Sequence, residues 1–191
     1  MNIILFGPPG AGKGTQALNI AEKYNLYQIS TGDLLRNEIK NKSETGQKIE
    51  RIISQGSFVT DEIVEKLIVK TITKDLYREK IIFDGYPRNI NQAKNLEKIL
   101  KRDNQFINFV IFLNVSKEII QKRILGRRIC IKCNKTFNEY FNIKEIENHK
   151  CDKKNLIKRN DDNDETVIRR YDEYMKQTKP VLDFYSSRSY F

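Results

Sequence analysis

Gly7-Pro8-Pro9-Gly10-Ala11-Gly12-Lys13-Gly14-Thr15 follows an apolar run, Ile3-Ile4-Leu5-Phe6, and precedes a helical pattern that begins near Gln16. A glycine-rich turn between a buried strand and a helix is phosphate-binding geometry. Its glycines leave backbone amides free to wrap an anion, and the helix N-terminus adds positive charge. Lys13 reaches outer phosphates and Thr15 can hold Mg2+, which makes Gly10, Ala11, Gly12, Lys13, Gly14 and Thr15 the candidate triphosphate cradle. The spacing is G-x-x-x-x-G-K with Gly14 interposed, so the threonine falls one place later than in the strict pattern. A plain strand-to-helix connection explains the glycines but not the lysine and threonine.

Working outward, 191 residues with 39% hydrophobic content suit one α/β unit with small insertions. No apolar stretch approaches membrane-spanning length, and the N-terminal run leads straight into the phosphate loop, so it reads as a strand and not as a signal peptide. Three cysteines, all between 130 and 151, do not resemble a secreted disulfide framework, and a cytoplasmic location is expected. The net charge of +10 is spread among acidic residues along the chain. It reads mostly as a solvated surface, with the remainder forming a basic groove for phosphorylated small molecules.

The pattern gives a first helix over about Lys13–Tyr24 with Leu18, Ile20 and Ala21 facing inward, then a strand over Leu26–Ile29. Ser30 or Thr31 can cap the next helix, which carries Arg36. Residues 30–59 read as small helices around Gly46 and Gly56, too polar to hold a core of their own. Thr60-Asp61-Glu62 opens a stronger helix with Ile63, Val64, Leu67, Ile68 and Ile72 at helical spacing. Lys80–Phe83 is a second core strand ending at Asp84-Gly85-Tyr86-Pro87-Arg88-Asn89. A carboxylate at the C-terminal end of a buried strand sits where α/β sheets place ligands, so Asp84 is the second Mg2+ candidate beside Thr15. An amphipathic helix over Ile90–Leu100, an apolar strand over Phe106–Val115 and a helix capped by Ser116 follow. The chain then changes character until about Asp162, and reads as a lid-like insertion. Asp164 and Glu165 restart a helix to Thr178, which Pro180 breaks before a short last helix.

The motifs GPPGAGKGT at 7–15, STGDLLR at 30–36, FDGYPRN at 83–89 with Gln92, RILGRR at 123–128, and R-x-D-D at 159–162 with Arg170 beyond occur in one order. In these motifs, over essentially its whole length, the chain resembles adenylate kinase. The resemblance implies ATP plus AMP giving two ADP, on a P-loop NTPase-type parallel sheet of five strands flanked by helices. It implies a core over 1–29, 60–125 and 163–191, a small helical AMP-binding insertion over 30–59 and a lid over 126–162. It places Thr31, Arg36, Val59, Gly85, Arg88 and Gln92 around AMP, with Gln92 reading the adenine. Arg123 would lie against the ATP base and Arg127 on its phosphates. Arg159 and Arg170 would bridge toward the transferring group, and Lys13, Arg88, Arg127, Arg159 and Arg170 would be the catalytic set.

Physical chemistry agrees, because phosphoryl transfer leaves the protein mainly alignment and charge neutralisation to supply. Lysines outnumber arginines 23 to 12, yet Arg36, Arg88, Arg123, Arg127, Arg159 and Arg170 are all arginine. That side chain's planar fork takes phosphate oxygens in pairs.

Cys130-x-x-Cys133, then seventeen residues, then Cys151 has metal-ligand spacing. Many lids of this family carry zinc on four ligands, the last pair spaced C-x-x-C or C-x-x-D. Here Lys154 stands at that last position and cannot ligate as a cation. His149 or Asp152 would complete a structural Zn2+ site, and a metal-free lid with reduced cysteines is the other reading. The family also continues beyond the position of Phe191 with an edge strand, a turn against the ATP adenine and a last helix. A truncated or naturally short form is expected to bind ATP more weakly or to be less stable. Two other functions compete: a UMP/CMP-type nucleoside monophosphate kinase, and a zinc-ribbon nucleic-acid module built on Phe137, Tyr140 and Phe141 amid lysines. ATP, AMP and ADP are the expected partners of a monomer that engages neither nucleic acid nor membrane.

Overall fold

A computed structural model describes residues 1–54 and 59–187. Four short apolar runs become parallel strands: β1 (Ile3–Phe6), β2 (Tyr27–Ser30), β3 (Ile81–Asp84) and β4 (Phe109–Phe112), in the order β2-β3-β1-β4. β1 and β3 are buried throughout, as continuous apolar runs of a parallel sheet covered on both faces should be. Successive side chains alternate between those faces. Ile3, Leu5 and Ile82 pack on α1 (Lys13–Tyr24) through Ala17, Ile20 and Ala21. Ile4, Phe6, Ile29, Ile81 and Phe83 enter the larger core with α4 (Asp61–Ile72), α5 (Ile90–Arg102) and α9 (Lys179–Ser186).

Leu18, expected inward, is 62% exposed, and Ala17 takes the buried position. Residues 17, 20 and 21 share a helical face at i, i+3 and i+4, whereas 18 lies about 100° round the axis. The fourth strand is shorter than the apolar run that announces it, and Phe109 and Phe112 are exposed because β4 is the sheet's edge among the described residues. Four parallel strands, not the five implied by the resemblance, are formed by those residues.

α2 (Thr31–Lys40), capped by the Ser30 hydroxyl accepting from Asp33 N, and α3 (Glu44–Ser54) cross closely at Gly46. A Cβ there would meet the Glu38 carbonyl oxygen at 2.3 Å. Leu35, Ile49 and Val59 join the main core, which explains how so polar a segment stays folded. Gly56 lies outside the described residues. After α6 (Lys117–Leu125) comes a second, antiparallel sheet of β5 (Arg127–Cys130), β6 (Thr136–Asn138) and β7 (Leu156–Ile157), ordered β6-β5-β7, with the short α7 (Ile143–Glu147) between β6 and β7. The chain then stays helical from α8 (Asp164–Glu173) through a π-turn (Tyr174–Thr178) into α9. Pro180 does not break it, because it occupies the first turn of α9, where its missing N–H forfeits no bond within that helix.

Three strands deliver functional residues at one edge of the sheet. β1 ends at Phe6 before Gly7, β2 at Ser30 before Thr31, and β3 at Asp84 before Gly85. In register, Asp84 stands opposite both Leu5 and Ser30.

Candidate active site

The turn after β1 is drawn tight. Ala11 N donates to Pro8 O at 3.1 Å, and Gly10 and Gly12 adopt φ of 79° and 92°, where only glycine is unstrained. At Gly10 a Cβ would also meet Ile124 Cγ1 at 2.7 Å, so the loop rests directly on α6. Lys13 Nζ donates to Gly7 O at 2.7 Å and Pro8 O at 3.0 Å. Burial, followed by the guanidinium groups of Arg88 and Arg127, pulls its pKa down to about 8 against the opposing pull of Asp84. Thr15 is exposed on the first turn of α1. Asp84 is buried, accepts from Gln28 Nε2 at 2.9 Å, and has an oxygen 3.4 Å from where a Gly14 Cβ would stand. Burial raises its carboxyl pKa, partly countered by Lys13. A hydroxyl and a carboxylate beside a phosphate loop are the hard oxygen donors that suit Mg2+.

The arginines gather around this loop. Arg123 Nη1 donates to Ala11 O at 2.8 Å. Arg127, on β5, makes a forked pair with Asp162, through Nε to Oδ2 at 2.8 Å and Nη2 to Oδ1. Arg170, on α8, pairs with Asp161. Arg36 pairs with Asp33 at 2.6 Å. Arg88 donates from Nε to Gly85 O at 2.9 Å and from Nη2 to Thr31 Oγ1 at 3.2 Å, while Thr31 Oγ1 donates to Gly85 O at 2.9 Å. Burial first, then neighbouring guanidiniums, lowers the pKa of Arg88 and of Arg159 to about 10. Arg159 Nε is buried without a hydrogen-bond partner among the described residues. A buried orphan donor among mutually repelling cations is chemistry that a polyanion satisfies.

Beside the arginines a 330 Å³ cavity opens between α4, α5 and the α8 end. Leu35, Val59 and Val64 give it apolar walls, and Arg88, Asp61, Asn89, Gln92, Glu173 and Gln177 its polar ones. Thus Val59, Arg88 and Gln92, singled out from sequence, come together, with Thr31 and Gly85 joined to them through Arg88. Asp61, Asn89, Glu173 and Gln177 were not foreseen. Asp61 was legible only as a helix N-terminus, which it also is, and Glu173 and Gln177 arrive from more than 80 residues beyond Gln92.

In the second sheet, one ligand atom from each of Cys130, Cys133, His149 and Cys151 lies within 4.8 Å of all the others. Cys133 Sγ and His149 Nε2 are 3.7 Å apart, and the His149 ring stands edge-on to Phe137. The imidazole pulls the Cys130 thiol down to about 6, toward the thiolate a metal binds. Of the two fourth-ligand candidates it is His149 that joins the cysteines. Asp152 instead caps the following turn at Lys154 N (3.0 Å) and pairs with Lys154 Nζ (3.1 Å).

A parallel sheet, a glycine turn with its lysine, and basic side chains converging on one edge define a P-loop nucleotide enzyme. Residues 5–190 match the family model described as adenylate kinase. An adenylate kinase of Pelagibacter ubique (strain HTCC1062) is 60% identical over 191 residues, covering 100% of this chain and 90% of that relative. Those of Listeria monocytogenes serotype 4a (strain HCC23) and Clostridioides difficile (strain 630) are each 42% identical over 190 residues, covering 98% of this chain and 88% of the relative. The chain belongs to the adenylate kinase family, enzymes of reversible phosphoryl transfer between ATP and AMP. The family match spans the cysteine-bearing sheet as well as the phosphate loop. Among the described residues no helix is long and apolar enough to cross a membrane.

Proposed function

We propose that this site converts MgATP and AMP into two ADP by alignment and charge neutralisation, with residues 126–162 closing over 1–29, 60–125 and 163–191, and 30–59 carrying the AMP side. One observation supports it above the rest: Arg88 lines a cavity with room for a nucleotide base and also acts on the phosphate-loop Lys13, with Arg36, Arg127 and Arg170 close by.

Gly10, Ala11, Gly12, Lys13, Gly14 and Thr15 cradle the ATP phosphates, with Arg123 on the base side. Arg127 holds the ATP phosphates, and Lys13, Arg88, Arg159 and Arg170 surround the moving phosphoryl group. Arg88, Arg127 and Arg170 each exchange a protein acceptor for a phosphate oxygen, and Arg159 Nε, which has no partner among the described residues, gains one. The developing charge therefore meets fixed donors where water is excluded. Thr31, Arg36, Gly85 and Arg88 take the AMP phosphate, and Val59 and Gln92 take its base. Thr15 and Asp84 would hold Mg2+, which supplies neutralisation of charge on the phosphate oxygens. Cys130, Cys133, His149 and Cys151 would hold a structural Zn2+. The protein acts as a monomer.

The test is a coupled assay of ADP formation from ATP, Mg2+ and AMP, with UMP and CMP as alternative acceptors. Fast turnover with AMP alone is expected. Preference for UMP or CMP would overturn the base assignment, and no turnover with any acceptor would overturn the catalytic one.

A further inference from the structure

Two amides and one carboxylate at the base cavity leave no freedom in which way the amides face. Asn89 is the N-cap of α5, and its Oδ1 accepts from Gln92 N at 2.9 Å. A backbone N–H can only donate, so the Asn89 oxygen must face the helix and its Nδ2 must face away. That Nδ2 meets Asp61, at 3.0 Å from Oδ1 and 2.9 Å from Oδ2. Gln92 is fixed by the same logic. Its Oε1 accepts from Arg88 N at 2.7 Å, and its Nε2 donates to Asp61 Oδ1 at 2.7 Å. A carboxylate only accepts, so turning the Gln92 amide over would set oxygen against oxygen at Asp61 and N–H against N–H at Arg88. Gln92 is 2% exposed, so no water shell is available to absorb that mismatch.

What the clamp leaves to a ligand is one N–H on Nε2 and one lone pair on Oε1, in a fixed order. A 6-amino purine presents a donor at N6 beside an acceptor at N1, which pairs with that order. A 6-oxo purine presents an acceptor at O6 beside a donor at N1–H, which needs the amide reversed. We propose that Asp61 is a positioning residue that locks the Gln92 amide and so makes the pocket select 6-amino over 6-oxo purine monophosphates. This rests on the reading that the AMP base lies against Gln92. Size cannot make the distinction, because the two bases have the same outline; only the hydrogen-bond order differs. A site built to hydrogen-bond one edge rejects the mismatched edge far more strongly than an apolar slot does.

The test compares kcat and KM for AMP and for IMP in the wild-type protein and in Asp61→Asn, at saturating MgATP. Asparagine keeps the shape but can present either an oxygen or an NH2 to Gln92, so only Arg88 N still opposes turning of the amide. The AMP-over-IMP ratio of kcat/KM should fall at least about tenfold, carried by KM rather than by kcat. Asp61→Glu, which keeps an acceptor, should restore most of the preference. An unchanged ratio in Asp61→Asn overturns the proposal. Should that variant not fold, Asp61→Ser carries the same expectation, and an unchanged ratio there overturns the proposal equally. Gln92→Ala separates the clamp from the base assignment beneath it. A raised AMP KM in Gln92→Ala with an unchanged ratio in Asp61→Asn sinks the clamp alone. An unchanged AMP KM in Gln92→Ala sinks the base assignment, and the clamp with it.

Discussion

The base cavity and the phosphate side share Arg88 but are built on opposite principles. In the cavity, Asp61, Asn89, Gln92 and the Arg88 backbone N–H orient one another through fixed hydrogen bonds. On the phosphate side, Arg127 rests on Asp162, Arg170 on Asp161 and Lys13 on two loop carbonyls, while Arg88 and Arg159 are held below the usual arginine range by burial and by neighbouring guanidiniums. One region is finished before a nucleotide arrives. The other holds cations on acceptors that phosphate oxygens can replace. The difference follows from what each side must bind, since a neutral base is recognised by fixed geometry, whereas charge that moves during transfer needs donors that can change partners.

The sharpest way to break this comparison is to remove a guanidinium. Arg88→Ala or Arg127→Ala should slow turnover at least about a hundredfold in the coupled assay, since arginines placed on a transferring phosphoryl group are worth roughly 10³ to 10⁵. The loss should appear in kcat, in contrast to the KM effect expected for Asp61→Asn. An intact kcat in both arginine variants would mean the phosphate side is no more committed to the transition state than the base cavity is.

The next effect is smaller and depends on pH. Lys13 has its pKa lowered to about 8 from an ordinary 10.5. In the unfolded chain the lysine keeps its proton to higher pH, so between about 8 and 10.5 the unfolded state binds more protons. Stability of the nucleotide-free protein therefore gains a contribution as pH rises through that window. ATP should act in the opposite direction, because a polyphosphate favours the charged ammonium. Its binding should take up a proton above about pH 8, and its affinity should fall by up to about tenfold per pH unit there. Calorimetry in buffers of different ionisation heat reads the proton, and Lys13→Arg should flatten the profile. A Gln92→Ala variant should keep the pH dependence unchanged, since the charges that act on Lys13 are those of Asp84, Arg88 and Arg127.

How much of this was legible in the sequence depended on whether a residue's role is local along the chain. The phosphate loop, the end of β1 and the place of Asp84 at the end of a buried strand could be read directly, because a glycine turn between an apolar run and a helix fixes its own geometry. Arg88 and Gln92 were carried by their motifs. Asp61 was hidden by an equally good local explanation, the first turn of α4, and Asp161 and Asp162 gave no sign of which arginine each would hold. Glu173 and Gln177 reach the cavity only through packing of the C-terminal helices, which no local pattern specifies. The fold departed from expectation for similar reasons. Leu18 obeyed helical phase rather than hydrophobicity, and Pro180 found the one helical turn that tolerates it.

A still smaller change tests where the ATP base side begins. Arg123 donates to the loop carbonyl of Ala11, outside the repelling cluster around Lys13. Arg123→Ala should weaken ATP affinity by roughly three- to tenfold, about the net value of one ordinary hydrogen bond, and leave the AMP KM within about twofold. An equal shift in both nucleotides would merge the two sides that the structure keeps apart.

The smallest expected effect on turnover comes from the cluster of Cys130, Cys133, His149 and Cys151, although a large effect on stability is expected from it. Between residues 126 and 162, Cys130 and Phe137 are the buried hydrophobic residues among those described, and neither belongs to a hydrophobic core cluster. Ile131, Tyr140, Phe141, Ile143 and Ile157 of the same stretch are exposed. A sheet this short gains little from apolar burial, and a metal held by the four-residue cluster would supply what a core does elsewhere. Protein purified without added zinc should carry about one Zn2+ per chain, the capacity of one four-ligand site. Stripping it, or Cys133→Ser, should lower Tm by roughly 5–10 °C, as loss of a few kcal/mol does in a chain of this size. Turnover well below that melting should stay within about threefold, because the four residues, Cys130 at the end of β5 and the others in the turns beside it, make no hydrogen bond to a phosphate-facing arginine. It should then fail at a lower temperature than in the metal-loaded protein, as the second sheet opens and Arg127 and Arg159 lose their places. Absence of stoichiometric metal together with an unshifted Tm in Cys133→Ser would leave the second sheet held by its strand pairing alone.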